Sequence, residues 1–285
     1  ARKLIGFVSL KDLIVAKSSE TVLDIMHTDI IQGKVSDDQE VIAKLIEKYD
    51  LIAIPIVDDK QILVGIVTHD DAMDIIRQEQ TEDMEKFMGI TGSHEVGDYL
   101  KVSSWDHFTK RIYWVVALAV LGLFSGMIIH SFESTLTSLL ILALYMPMLA
   151  DTGGNTGSQS ASVVVRALAL GQLRPRDFLR VIYKELKISM GIAVVLGILS
   201  YLKVVFISRG IHIPVGYSLS RIALVIGLAL GIQVVSSTLI GAALPLAAAR
   251  IKQDPAVVAS PALTTIVDIT GLLIYFTTAR LLLGV

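Results

Sequence analysis

From residue 112 onward the sequence holds five long apolar stretches, roughly 112–130, 136–170, 178–207, 218–249 and 256–284. A helix that crosses a bilayer needs about 20 mostly apolar residues. In lipid every backbone polar group must be satisfied within the segment, which leaves helices and closed barrels. The stretches therefore predict five membrane-spanning helices, several long enough to tilt, kink or protrude. The whole chain agrees, with 53% hydrophobic residues and a mean hydropathy of +0.65 over 285 residues. It has no cysteine, which excludes disulfides and thiolate metal sites. Lys and Arg favour cytoplasmic flanks. Lys101, Lys110 and Arg111 precede the first stretch, five basic residues lie between Arg174 and Lys187, and Arg250 and Lys252 precede the fifth. The connection at 131–135 has none and that at 208–217 has only Arg209. The N-terminal half is then cytoplasmic and the C-terminus lies outside.

Two features break the apolar pattern. The first is Asp268, alone in "TTIVDITGLLIYF". A charge near mid-membrane costs at least ~2.5–3.5 kcal/mol, so it must face protein, water or an ion. Ser260, Thr264, Asp268 and Gly271 share one helix face. That stripe reads as a cation path; the alternative is a protonated Asp hydrogen-bonded to a neighbouring helix. The second feature is "ADTGGNTGSQSAS" at 150–162, just after Pro147. Pro147 removes a helical hydrogen bond. Gly153, Gly154 and Gly157 permit close backbone approach, and Asn155, Thr156, Ser158 and Gln159 offer neutral polar groups. Polar backbone at this depth must face protein or a water-filled cavity. Gly122/Gly126 and Gly227/Gly231 are spaced for close helix contact.

Residues 1–111 carry 13 basic and 21 acidic side chains, a net of −8, against +6 for the remainder. An acidic soluble half argues against nucleic acid and for cations, with solubility as the plain alternative. It contains a repeat: "LIGFVSLKDLI" at 4–14 and "LVGIVTHDDAM" at 63–73. Gly6, Ser9 and Asp12 recur as Gly65, Thr68 and Asp71. This pattern resembles the cystathionine-β-synthase-type (CBS) module, an α/β unit. The second copy is complete and the first has only its tail, which, with a first residue Ala1 rather than Met, predicts a true start upstream. The CBS resemblance implies that Thr68 and Asp71 meet the ribose of ATP; Thr68 as a helix cap is the alternative.

The motifs "PMLADTGGNTGSQSASVVVRALA", "DPA" at 254–256 and "TTIVDITGLLIYF", in the order CBS pair, acidic connecting helix, five membrane helices, resemble the MgtE family of magnesium channels. The resemblance implies cytoplasmic α/β CBS modules, an amphipathic connecting (plug) helix at 95–111 and an all-α five-helix transmembrane domain. Domain boundaries follow at 1–20 (tail of the first CBS module), 21–80 (second module), 81–111 (acidic linker and plug helix) and 112–285 (pore). It implies a multi-pass homodimer in a bacterial plasma membrane, with no nucleic-acid partner. Hydrated Mg2+ would pass Asp268, lined by Asn155, Thr264 and Gly271, with Asp254 at the inner mouth. Asp254 as a helix cap before Pro255 fits equally. Mg2+ bound by carboxylates at the CBS modules and plug, with Asp71, Asp74, Glu95, Asp98 and Asp106 as candidates, would close the pore. An ion-coupled carrier for Mg2+, Co2+ or Mn2+ is the alternative. A membrane-anchored sensor would not need Asp268 at depth. An intramembrane enzyme is not expected: Ser158 and Ser160 have no base at their depth, since His130 and His212 lie at predicted outer ends.

Overall fold

A computed structural model describes residues 3–90, 99–257 and 261–285. They divide into two compact units, Ala1–Glu82 and Asp83–Val285.

The first unit begins with two short helices, α1 (Leu10–Val15) and α2 (Val22–Ile25). Strand β1 (Gly33–Lys34), helix α3 (Gln39–Tyr49), strands β2 (Ala53–Val57) and β3 (Leu63–Thr68) and helix α4 (His69–Phe87) follow. The sheet runs β1-β2-β3, parallel between the first two and antiparallel between the last two. Asp38 caps α3, accepting from the Glu40 amide at 3.0 Å. Ile42, Ala43 and Ile46 fall on one face of α3 and pack with Ile54 of β2 and Ala72 of α4. A side chain at Gly33 would run into Ile42 and Ile56, so β1 lies this close to α3 only with glycine there.

The repeated Ser/Thr-x-x-Asp has a local cause. Ser9 donates to the Asp12 carboxylate at 2.5 Å and accepts the Asp12 amide at 3.2 Å, a capping box at the head of α1. Thr68 donates to Asp71 at 2.5 Å, and its own amide reaches the same carboxylate at 3.2 Å, at the head of α4. The Ser9 hydroxyl, the Ser9 amide and nearby His27 hold the Asp12 carboxyl below its usual range. A lowered value keeps this cap intact at neutral pH, and its contribution is lost only as pH falls below about 4.

The second unit is helical. Helix α5 (Ser104–Ser131) is followed by the short α6 (Glu133–Ser138), then by α7 (Ile141–Ala169) and a 3-10 turn at Pro175–Asp177. The long helices α8 (Phe178–Ile207), α9 (Leu219–Arg250) and α10 (Pro261–Leu283) complete it. Four helices among the described residues are long and apolar enough to cross a membrane: α5, α8 with its preceding turn, α9 and α10. Helix α7 matches them in length at 29 residues, but its polar run keeps it out of that group.

Three expected boundaries differ. The second apolar stretch is divided at Leu139–Leu140, so α6 stands apart from α7. The fifth helix does not begin at 256: residues 255–257 form a turn, 258–260 lie outside the described set, and the helix is described from Pro261. The connecting helix is not continuous over 95–111. Residues 91–98 lie outside the described set, 99–102 form turn and bend, and 104–111 are the opening turns of α5. The reason is again a cap: Ser103 accepts the Asp106 amide at 3.1 Å and donates to its carboxylate at 2.8 Å.

Helix α9 packs against α7, α8 and α10. Of its most apolar window 61% is buried, against 0% for α5, so α9 is the interior helix and α5 the peripheral one. Glycines set the spacing. A Cβ on Gly227 would lie 2.7 Å from the Gly197 carbonyl of α8, and one on Gly241 would strike the Gly157 backbone of α7. Gly122 and Gly126 face open space. Gly241→Ala is therefore expected to destabilise the protein by about 1–3 kcal/mol through overpacking, whereas Gly122→Ala should stay within about 0.5 kcal/mol. Thermal melting of the detergent-solubilised protein separates the two.

Candidate functional site

The polar run at 150–162 is not a loop or a broken segment but the middle of α7. Its small residues Gly153, Gly154, Thr156, Gly157, Ser160 and Ala161 are buried. Asp151, Asn155 and Gln159, four residues apart, form an exposed polar stripe. The run therefore builds two faces, a small one for packing and a hydrophilic one that stays open.

The small face brings α7 against α10. A Cβ on Gly154 would sit 3.4 Å from the Thr264 methyl, and one on Gly157 at 3.4 Å from Val267. One turn from Thr264 lies Asp268, half-buried and at mid-helix. It makes no hydrogen bond or ion pair among the described residues. A pocket of about 10 Å³, room for one water, is bordered by Met146, Leu149 and Ala150 of α7 and by Asp268, Gly271 and Tyr275 of α10. Ala150 and Gly154 face α10, whereas Asp151 and Asn155, each one residue on, are turned about 100° from them around α7. Gly271 is buried: it borders this pocket and also abuts Gln233 of α9. Ser260 lies outside the described residues.

Several polar groups of this unit escaped the sequence reading. Gln233 donates through Nε2 to the Val267 carbonyl at 3.0 Å. Thr156 and Ser237 share a hydrogen bond of 2.8 Å. Ser160 donates to the buried Glu185 carboxylate at 2.9 Å. Asp151 is the one carboxylate of α7, exposed and one turn before Asn155. For Gln233 the signal was an isolated polar residue in an apolar stretch, as for Asp268; Asp151, Thr156 and Ser160 lie inside the polar run already singled out, where only their partners were not legible.

Asp254 accepts the Ala256 amide at 2.9 Å and pairs with Lys86 at 3.1 Å. These two contacts hold the turn at 255–257. The proposed regulatory carboxylates are separately engaged. Asp71 accepts from Thr68, exposed Asp74 pairs with Arg77 at 3.5 Å, and Asp106 accepts from Ser103. Glu95 and Asp98 lie outside the described residues. Among the described residues no three His, Asp or Glu side chains are grouped to hold a metal. Thr68 and Asp71, the candidate ribose contacts, are bonded to each other.

Residues 146–278 match the model of the MgtE divalent cation transporter family, and residues 22–78 match the CBS domain. The chain is 38% identical over 283 residues to the magnesium transporter MgtE of Thermus thermophilus, covering 99% of this chain and 60% of that protein. It is 36% identical over 276 residues to the magnesium transporter MgtE of Bacillus subtilis, covering 97% of this chain and 58% of that one. The chain thus spans roughly three-fifths of the length of these curated relatives. Both are named as transporters, not enzymes, as the sequence reading expects. A solved structure of the cytosolic domain of the Mg2+ channel MgtE in complex with ATP is 42% identical over 26% of this chain and 30% of that chain, with a TM-score of 0.26. A CBS domain thus precedes a domain that matches the MgtE divalent cation transporter model, and curated magnesium transporters MgtE match this chain almost from end to end.

Proposed function

We propose that this protein carries Mg2+ across a bacterial plasma membrane as a homodimer, through a pore in which Asp268 is the carboxylate that meets the ion. The observation that carries the reading is Asp268 itself: a half-buried carboxylate in an apolar helix, bordering a small pocket against α7 and with no hydrogen-bond or ion-pair partner among the described residues. The relatives named magnesium transporters support the choice of ion. Mg2+ sheds water reluctantly and keeps several waters when bound. A carboxylate with no protein partner can accept hydrogen bonds from that water shell. Asn155 and Thr264 supply neutral oxygens along the same edge, Gly271 leaves room beside Asp268, and Asp151 adds a charge one turn from Asn155. Asp254 stands at the inner mouth, with the CBS unit cytoplasmic and the C-terminus outside.

Cytoplasmic Mg2+ closes the pore. Asp71, Asp74, Glu95, Asp98 and Asp106 repel one another without metal and are bridged by it, so Mg2+ favours the closed state by differential binding. ATP binds at Thr68 and Asp71, where the adenosyl ribose would compete for the hydrogen bond these two side chains share.

Asp268→Ala should abolish Mg2+ flux into proteoliposomes while the protein still folds and dimerises; wild-type flux with unchanged selectivity would sink the reading. Asn155→Leu should block conduction by a dry constriction without unfolding, and unchanged conduction would place Asn155 off the path. Neutralising Asp71, Asp74, Glu95 and Asp98 together should leave channels open at cytoplasmic Mg2+ concentrations that shut the wild type. Single-channel recording with titrated Mg2+ decides this, and closure at an unchanged concentration would put the sensor elsewhere.

A further inference from the structure

We propose that Gln233 is a positioning residue for Asp268, acting from the helix behind it. The proposal rests on the reading of Asp268 as the ion-contacting carboxylate.

Gln233 is fully buried near the middle of α9. Its Nε2 donates to the Val267 carbonyl at 3.0 Å, on the residue immediately before Asp268. The Thr270 hydroxyl reaches the same carbonyl at 3.1 Å. The amide sits in a notch cut into both neighbouring helices. A Cβ on Gly153 of α7 or on Gly271 of α10 would collide with its Nε2. Two helices that bear candidate site residues therefore give up a side chain to seat one amide.

Packing does not account for this choice of residue. The Gln233 Oε1 is buried and has no hydrogen-bond partner among the described residues. A buried acceptor left unpaired is unfavourable, and an apolar side chain of equal length would fill the notch without that loss. What the amide adds is direction. A bond from α9 to a main-chain carbonyl of α10 resists rotation of α10 about its own axis, and such rotation would swing Asp268 away from the pocket it borders with Met146, Leu149 and Ala150 of α7. One turn further along α9, Ser237 does the same for α7. It donates to the Gln233 carbonyl at 2.8 Å and shares a 2.8 Å bond with Thr156, the neighbour of Asn155. Helix α9 thus orients both Asp268 and Asn155 through the residues beside them.

The test uses the full-length protein in proteoliposomes, with Mg2+ flux and the Mg2+ to K+ permeability ratio as readouts. Gln233→Met keeps length and bulk but removes the amide, and Val267 keeps its Thr270 bond. The variant should melt at or above the wild-type temperature. Its Mg2+ flux should nevertheless fall by roughly tenfold or more, the scale expected when a reacting group is misplaced, and its permeability ratio should fall too. In an Asp268→Asn background, Gln233→Met should have no further effect, because its target is already gone. Wild-type flux and ratio in Gln233→Met would overturn the proposal. So would an equal proportional loss in the Asp268→Asn background, which would mark a general structural role. If Gln233→Met does not fold, Gln233→Asn, polar but too short to reach Val267, is judged by the same outcomes. Asp268→Asn alone separates the two claims. If that variant conducts and selects like the wild type, the reading of Asp268 falls and takes this proposal with it. If it is impaired while Gln233→Met is normal, only the role of Gln233 falls.

Discussion

Lipid tails are as apolar as leucine, so one apolar helix gains little by leaving lipid for another. Association then depends on how closely backbones can approach. Here the approach is set by α9, through Gly227 against Gly197 of α8 and Gly241 against Gly157 of α7. The rest of the helical unit follows from these two crossings. With α7 held tight on α9, its small residues are used up in packing, and Asp151, Asn155 and Gln159 are turned outward. With α10 on the remaining side of α9, Val267 is buried and its neighbour Asp268 is only half-buried. A polar edge inside an apolar unit is thus a by-product of where the glycines are.

The carboxylates of the chain fall into two kinds. Asp12, Asp71 and Asp106 each accept from a Ser or Thr three residues earlier, a short-range arrangement built before any ion is considered. Asp74 and Asp254 have cationic neighbours in Arg77 and Lys86. A cation arriving at any of these must compete with a bond already made. Asp268 has no such partner among the described residues, which sets it apart from Asp71, Asp74, Asp106 and Asp254.

Much of this was legible in the sequence. The apolar stretches located the helices, and a lone Asp in one of them marked the centre of the candidate site. The recurring Ser/Thr-x-x-Asp was visible as a repeat, although its meaning as a helix start was grasped only for Thr68. The same pattern at Ser103 and Asp106 would have moved the start of α5 to residue 104. Other features could not be read locally. Gln233 finds its partner 34 residues away, and Thr156 finds Ser237 at a separation of 81. Periodicity reports which face of a helix is apolar, not which neighbour that face will meet. The pairing of Asp254 with Lys86, far away in the chain, is of the same kind.

The solitude of Asp268 bears on how fast an ion could arrive. Charges on a wet surface lose sight of one another beyond about 8–10 Å at physiological salt, because mobile ions gather between them. A carboxylate set among helices is screened much less, since counter-ions cannot fill the space around it. Low-dielectric walls also focus its field along whatever open channel remains. Of the described acids proposed to meet the ion, then, Asp268 is the one whose pull on an approaching cation would vary least with the salt in the surrounding solution.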